Sequence, residues 1–283
     1  MTDLRPSRLR ADGNRVGYGE RTIIDDLDVR IADGSFTVII GPNACGKSTL
    51  LRSFARLLTP VAGAVRLDGT DIGRLPSREV ARTIGLLPQS AIAPEGITVI
   101  DLVSRGRYPH QTLWRQWSDD DARAVREALE ATSTTAFAHR RVDELSGGQR
   151  QRVWIAMVLA QETPIVLLDE PTTFLDIAHQ IEVLELCKRL HDQGRTLVAV
   201  LHDINQAARY ATHLIAMRDG AIIAQGDPAE VITAELVEST FGVRARVLPD
   251  PETGTPLIVP LASGAIVTDL HPRGRSASER GNT

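Results

Sequence analysis

Nine consecutive residues carry the clearest chemical signal in the chain: Gly41, Pro42, Asn43, Ala44, Cys45, Gly46, Lys47, Ser48 and Thr49. They match the glycine-rich phosphate-binding loop, and the flanks match its context, with a β-branched apolar run before them and helical spacing after them. Glycines let successive backbone amides turn inward around a phosphate, and the N-terminus of the following helix adds favourable polarity. Lys47 can reach the β- and γ-phosphates as a flexible point charge, and the Ser48 hydroxyl can ligate Mg2+. The bland alternative is a glycine-rich turn that closes an ordinary strand-helix unit.

A second constellation is Ile165-Val166-Leu167-Leu168-Asp169-Glu170, four apolar residues followed by two carboxylates. In open α/β sheets ligands gather at the carboxyl ends of the strands, so Asp169 is placed to hold Mg2+ and Glu170 to polarise or deprotonate an attacking water. Without the phosphate loop, an acidic strand exit before proline would be the simpler reading. Leu145, Ser146, Gly147, Gly148 and Gln149 form a third site, where two glycines and a hydroxyl at a helix start can meet an anion. A plain capping turn explains the same residues, and the spacing leaves open whether they serve a phosphate within one chain or between chains.

Other residues invite chemistry less strongly. His202-Asp203 suggests a base and its orienter, yet adjacent side chains at a helix start face apart and no activated nucleophile lies nearby. His110, His139, His179, His191, His213 and His271 show no metal-ligand spacing. Cys45 at a helix start could be a reactive thiol, although a loop residue tolerated beside phosphate is the expected reading. Arg105-Gly106-Arg107-Tyr108-Pro109-His110, with Trp114 and Trp117 beyond, reads as a basic and aromatic nucleic-acid surface or a flexible solvated loop.

The elements that must position these residues follow from periodicity. Residues 1–15 read as a frayed start leading into a strand, residues 22–29 and 36–41 as strands, and residues from Lys47 to the Thr59-Pro60 stop as a helix. Residues 64–72 form a hairpin-like unit with an Asp-Gly turn. After a strand at residues 83–89, residues 95–161 lose strand character and show helical stretches at 99–105, 119–132, where Ser118 can cap, and 148–161. Alternation then resumes: strand 164–170, helix 176–192, strand 196–203, helix 204–210, strand 213–217. That is open parallel-sheet material. A tail from Gly220 carries turn signals, a helix near Glu235 and short strands near 245–248 and 257–260.

Composition bounds the rest. The chain has 283 residues, 42% hydrophobic and 24% charged, with net charge -4, which suits one large α/β domain with or without a small second one. The acidic balance supplies no global field for a nucleic-acid backbone. Of 32 basic residues only Lys47 and Lys188 are lysine, so each deserves scrutiny. Two distant cysteines fit a reducing compartment, and no apolar stretch approaches the roughly 20 residues that cross a bilayer. A cytoplasmic chain, free to join a membrane protein as a peripheral subunit, is expected.

Taken together, the phosphate loop, LSGGQRQR (145–152), LLDEPT (167–172) and His202 resemble the nucleotide-binding subunit of an ATP-binding cassette transporter over roughly residues 14–260. Cys45, TVIDLVSRGRYPHQ (98–111), RQRVWIAMVLAQE (150–162), DEPTTFLDIAHQ (169–180), LHDINQAARYA (201–211) and GTPLIVPL (254–261) are most similar to the ATPases of ferric-siderophore importers, a group that includes haem and cobalamin systems. The fold implied is α/β, a P-loop NTPase domain with an antiparallel β subdomain and a helical subdomain. Residues 14–94 and 162–242 would form the ATP-binding core, 95–161 the helical signature subdomain, 243–262 a short extension and 263–283 a disordered tail.

The resemblance further implies roles. Tyr18 would stack on adenine, Gln89 would sense the γ-phosphate and Mg2+ while linking core to helical subdomain, and Asp176 would belong to the loop joining two active sites. Glu170 would be the general base, and His202 would contact the γ-phosphate. Two ATPase subunits would sandwich ATP head to tail, each phosphate loop completed by Ser146, Gly147 and Gly148 of the other chain. They would drive two membrane permeases fed by an extracytoplasmic substrate-binding protein, at the cytoplasmic face of the membrane, and the 98–111 segment would lie where the permease docks. Alternatives are a haem or cobalamin importer ATPase, or a soluble ATPase switch on ribosomes or nucleic acid.

Overall fold

The computed structural model describes residues 6–111, 117–173 and 175–262. Trp114, His271 and the expected disordered tail at 263–283 lie outside the described residues. Three short parallel runs are buried at every position, β3 (Phe36–Ile40), β7 (Ile165–Asp169) and β8 (Thr196–Val200), as expected for strands covered on both faces. They sit centrally in a sheet ordered β10-β9-β3-β8-β7-β6 among the described residues, where β6 is Ile84–Leu87, β9 His213–Arg218 and β10 Ala221–Gly226. β10 pairs antiparallel with β9 and the other pairs are parallel. The alternating exposure of β10, one face to solvent, marks an edge strand hidden in the tail that sequence periodicity left unassigned.

A second sheet, β2-β1-β4-β5, is antiparallel and is built from β1 (Leu9–Tyr18), β2 (Arg21–Ile31), β4 (Ala62–Leu67) and β5 (Thr70–Asp71). The expected frayed start is therefore corrected: Leu9, Ala11 and Val16 are buried in a full strand. The Asp-Gly turn predicted before β5 is present, with Asp68 and Gly69 both at positive φ.

Helix α1 (Lys47–Phe54) stops well short of the expected Thr59-Pro60. Arg56 turns left-handed at φ 59°, the N–H groups of Leu57 and Leu58 fold back onto the Arg52 carbonyl, and Arg56 Nη1 donates to the Leu75 carbonyl. Apolar periodicity continues to Leu58 because Ala55 and Leu58 pack onto the core from a turn, whereas Leu57 is exposed. Helix α2 (Ser77–Thr83) leads into β6.

Between β6 and β7 the described regular elements are helical: α3 (Val99–Ser104), α4 (Asp119–Ala131) and α5 (Gly147–Ala160), joined by short 3-10 turns. Ser118 caps α4 in a reciprocal box with Asp121. The Arg105–His110 turn is only partly a surface. Arg107 is 4% exposed and donates to Asp121 Oδ1 (2.8 Å), the Ala160 carbonyl (2.7 Å) and Glu162 Oε2 (2.6 Å). This guanidinium fastens the ends of α4 and α5, whereas Tyr108 points outward. Family-like spacing at this segment says nothing about which arginine is buried.

The chain ends in α6 (Ile177–Asp192), α7 (Ile204–Tyr210), α8 (Pro228–Val231), α9 (Ala234–Phe241) and a hairpin of β11 (Ala245–Pro249) with β12 (Pro256–Pro260). One apolar cluster fills the space between the helical segment, the main sheet and α6, α7 and α9; a second lies between the two sheets around α1.

Candidate functional site

The phosphate loop runs from the end of β3 into α1. Gly41 sits at φ 152°, and a Cβ there would stand 2.2 Å from the Met217 carbonyl, so only glycine lets the loop pass β9 this closely. Gly46 at φ 105° starts the helix. Ala44, at φ 62°, adopts the left-handed region without being glycine, a local strain of the kind held at ligand loops. Lys47 is 5% exposed, and its Nζ donates to the carbonyls of Gly41 (2.8 Å) and Pro42 (2.7 Å). The ammonium is thus held over the loop that its charge would share with a phosphate. Cys45 turns the other way, buried in the apolar cluster between the sheets, where desolvation pushes its thiol up. It is a packing residue under the loop rather than a reactive thiol.

A cleft of about 230 Å³ opens above the loop, lined by Tyr18, Asn43, Lys47, Ser48, Thr49 and Glu170, with Arg21 and Ile23 among the other walls. Tyr18 reaches it from the β1–β2 turn and is half exposed. Arg52, one turn after Ser48, donates from Nη1 to the Tyr18 hydroxyl (3.2 Å), and its Nε lies 3.9 Å from Asp169 Oδ2. Spacing alone did not single out Arg21 or Arg52. The i, i+4 relation of Ser48 and Arg52 on one helix face was the available signal.

At the end of β7 the two carboxyls separate by environment. Asp169 accepts from Ser48 Oγ at 2.7 Å. Burial dominates there and raises its carboxyl, despite Ser48, Arg52 and Lys47. Glu170 stands at φ 55°, and its carboxylate meets Gln89 Nε2 (2.7 Å), Thr173 Oγ1 (3.0 Å) and His202 Nε2 (2.7 Å). Burial pushes Glu170 up, but the His202 bond and charge together with the Thr173 and Gln89 bonds outweigh it and hold the carboxyl below its ordinary value. Gln89 follows β6, Glu170 follows β7 and His202 follows β8, so three adjacent strand ends converge on one carboxylate. Thr173 is a further contact that the sequence did not single out.

Ser48 and Asp169 offer a hydroxyl and a carboxylate oxygen 2.7 Å apart, the hard oxygen donors that Mg2+ takes, so the residues present fit that ion. When bound, Mg2+ would offset charge on the transferring phosphoryl group. The described residues hold no cluster of three or more His, Cys, Asp or Glu able to bind a metal without a ligand's help.

The turn at residues 145–149 lies apart from this cleft. Ser146 caps α5, its Oγ accepting from Gln149 N–H (3.3 Å) while Gln149 Oε1 accepts from Ser146 N–H (3.1 Å). None of the five residues lines the cleft. The His179 ring covers Gly148, where a Cβ would stand 3.1 Å away, and His179 Nδ1 meets Asp176 Oδ1 at 2.7 Å. Asp176 caps α6 through the His179 N–H. Gln151 Nε2 donates to the Pro171 carbonyl (2.9 Å), a link from α5 to the Glu170 loop.

The fold and this site define a phosphate-loop ATPase of the cassette type. The family model described as ABC transporter matches residues 24–173, and the chain belongs to that family as an ATP-hydrolysing subunit. It is 58% identical to the ferric enterobactin transport ATP-binding protein FepC of Escherichia coli (strain K12), covering 92% of this chain and 96% of that protein. It is 56% identical to the achromobactin transport ATP-binding protein CbrD of Dickeya dadantii (strain 3937), covering 87% and 91%. Among solved structures it is similar to an inward-facing ABC transporter assigned to the metal-chelate type, at 28% identity and TM-score 0.77, covering 91% of this chain and 98% of that one. The dimeric bacterial cassette MJ0796 is also similar, at 29% identity and TM-score 0.69, covering 77% and 98%. No described helix is long and apolar enough to cross a membrane.

Proposed function

We propose that the chain hydrolyses ATP to energise the uptake of ferric siderophores. The observation that carries the ATPase chemistry is the grip of Gln89, Thr173 and His202 on Glu170 beside a Ser48–Asp169 pair. Lys47 and the loop amides would bind and align the phosphates, Tyr18 would support the adenine, and Ser48 and Asp169 would hold Mg2+, with Gln89 as a further candidate ligand. Glu170 orients the attacking water and accepts its proton at a carboxylate oxygen; His202 steadies that oxygen and faces the γ-phosphate. Catalysis then rests on positioning and electrostatics.

Ser146 and Gly147 are exposed and the turn satisfies its own cap, which supports a role on a second copy's nucleotide rather than its own. The assembly proposed is two ATPase subunits, two membrane permeases and an extracytoplasmic substrate-binding protein, with this chain at the cytoplasmic face and no nucleic-acid partner. The siderophore reading is supported by the 58% and 56% identities to proteins named for enterobactin and achromobactin transport.

The deciding experiment reconstitutes the chain with permeases recovered by pull-down from membranes and assays ATP-driven transport into vesicles. Ferric siderophore should accumulate; accumulation of haem or cobalamin instead would replace the substrate assignment.

A further inference from the structure

The C-terminal hairpin reaches the catalytic edge through a single short helix. Beyond β8 the Leu201 N–H extends the ladder to the Ile39 carbonyl (3.2 Å), and His202 comes next. Asp203 then caps α7, its Oδ1 accepting from the N–H groups of Asn205 (2.8 Å) and Gln206 (3.1 Å). The backbone of His202 is therefore held by the sheet on one side and by the first turn of α7 on the other. Its side chain is 44% exposed while it reaches Glu170, so its aim depends on those two tethers.

A helix of seven residues does not hold itself in water; docking must supply its stability. Asn205 supplies a specific dock. Its Oδ1 accepts from the Ile258 N–H (2.7 Å) and its Nδ2 donates to the Ile258 carbonyl (3.3 Å), so the side-chain amide takes the place of a neighbouring strand along the outer edge of β12. Ile258 is itself buried in the main apolar cluster. Arg209 adds an exposed tie to Glu252 in the hairpin turn (3.2 Å). The same first turn of α7 is linked to the loop leaving Glu170: Gln206 Nε2 donates to Gln180 Oε1 (2.8 Å), and Gln180 Nε2 donates to the carbonyls of Thr172 (3.3 Å) and Leu175 (3.1 Å).

We infer that Asn205 is a positioning residue for hydrolysis. By clamping β12 it fixes α7, and through α7 it fixes His202 against Glu170, which makes the C-terminal hairpin part of the catalytic unit. The inference rests on the proposed roles of His202 and Glu170, and the experiment separates the two. Single-turnover ATP hydrolysis, at enzyme excess so that slow variants are measurable, is compared for wild type, Asn205→Ala, His202→Ala and the double variant, with nucleotide Kd and Tm recorded for each.

Loss of two neutral hydrogen bonds should slow Asn205→Ala about fivefold while nucleotide Kd stays unchanged. In the His202→Ala background the same substitution should cause no further slowing, because the group it positions is gone. Equal slowing in both backgrounds, or a fall in Tm with no loss of rate, would overturn the clamp while leaving the site reading intact. An unchanged rate in His202→Ala alone would instead remove the role of His202, and the clamp with it.

Discussion

The loop that carries Glu170 after β7 and the turn that carries Ser146 at the start of α5 are built in opposite ways. Glu170 is buried and held by Gln89 and His202 from the two neighbouring strand ends and by Thr173 of its own loop. Ser146 and Gln149 satisfy each other, and Ser146 and Gly147 stay exposed with open space beside Gly147. A carboxylate that must accept a proton needs a fixed, desolvated setting. A turn that meets an anion on another body needs only to be preshaped and accessible.

That contrast can be broken in four places. The largest effect is expected for Glu170→Gln, which keeps the shape and the Thr173 and Gln89 neighbours but removes the base. Hydrolysis should fall about a thousandfold while ATP binding persists, and wild-type turnover would end its assignment. Ser146→Arg in every chain should lower turnover roughly a hundredfold by filling an anion site, without altering nucleotide affinity of the separated subunit.

Mixing sharpens the same point. A pair with one Ser146→Arg subunit and one Lys47→Ala subunit confines both lesions to one composite site if the turn serves the other chain. About half the wild-type number of competent sites should then bind nucleotide; none would remain if Ser146 served its own loop.

The smallest effects are on stability and carry opposite signs at adjacent residues. Glu170 has a folded value below its ordinary 4.5, so its charge contributes stability above that pH, and the contribution is lost as pH falls through the lowered folded value. Asp169 has a folded value above its ordinary 3.8, so stability falls as pH rises from 3.8 through the raised value and stays penalised at neutral pH. Nucleotide-free Asp169→Asn should therefore melt higher than wild type at pH 7, by a few degrees at most, and Glu170→Gln should melt lower. Thermal scans from pH 3 to 8 test both, and a shared sign would contradict the separation of the two carboxyls.

How much of this was legible depends on the range of the interaction. The phosphate loop, the all-apolar strands and the Ser118 and Asp176 helix starts are local patterns, and they stand where the spacing puts them. The early end of α1 was not legible, because Arg56 turns left-handed with support from Leu75, nineteen residues on. β10 was hidden by its half-exposed alternation in a polar tail. Arg107 read as a surface cation, yet Asp121 and Glu162 draw it inside. Lys188, by contrast, pairs with Asp192 on the surface of α6, as an ordinary lysine would.

The sequence by itself determined which residues could handle phosphate, since the loop needs small residues, one reaching ammonium and one hydroxyl in a contiguous order. It also determined the alternation that sets strands beneath helices, because burial on both faces demands continuous apolar runs. Only the tertiary structure decided that Gln89, Thr173 and His202 close on Glu170, that Arg52 spans Tyr18 and Asp169, and that Asn205 ties the last hairpin to α7. Those contacts join residues from different strand ends, helices and loops. Their partners are chosen by sheet order and helix docking, which no local spacing encodes.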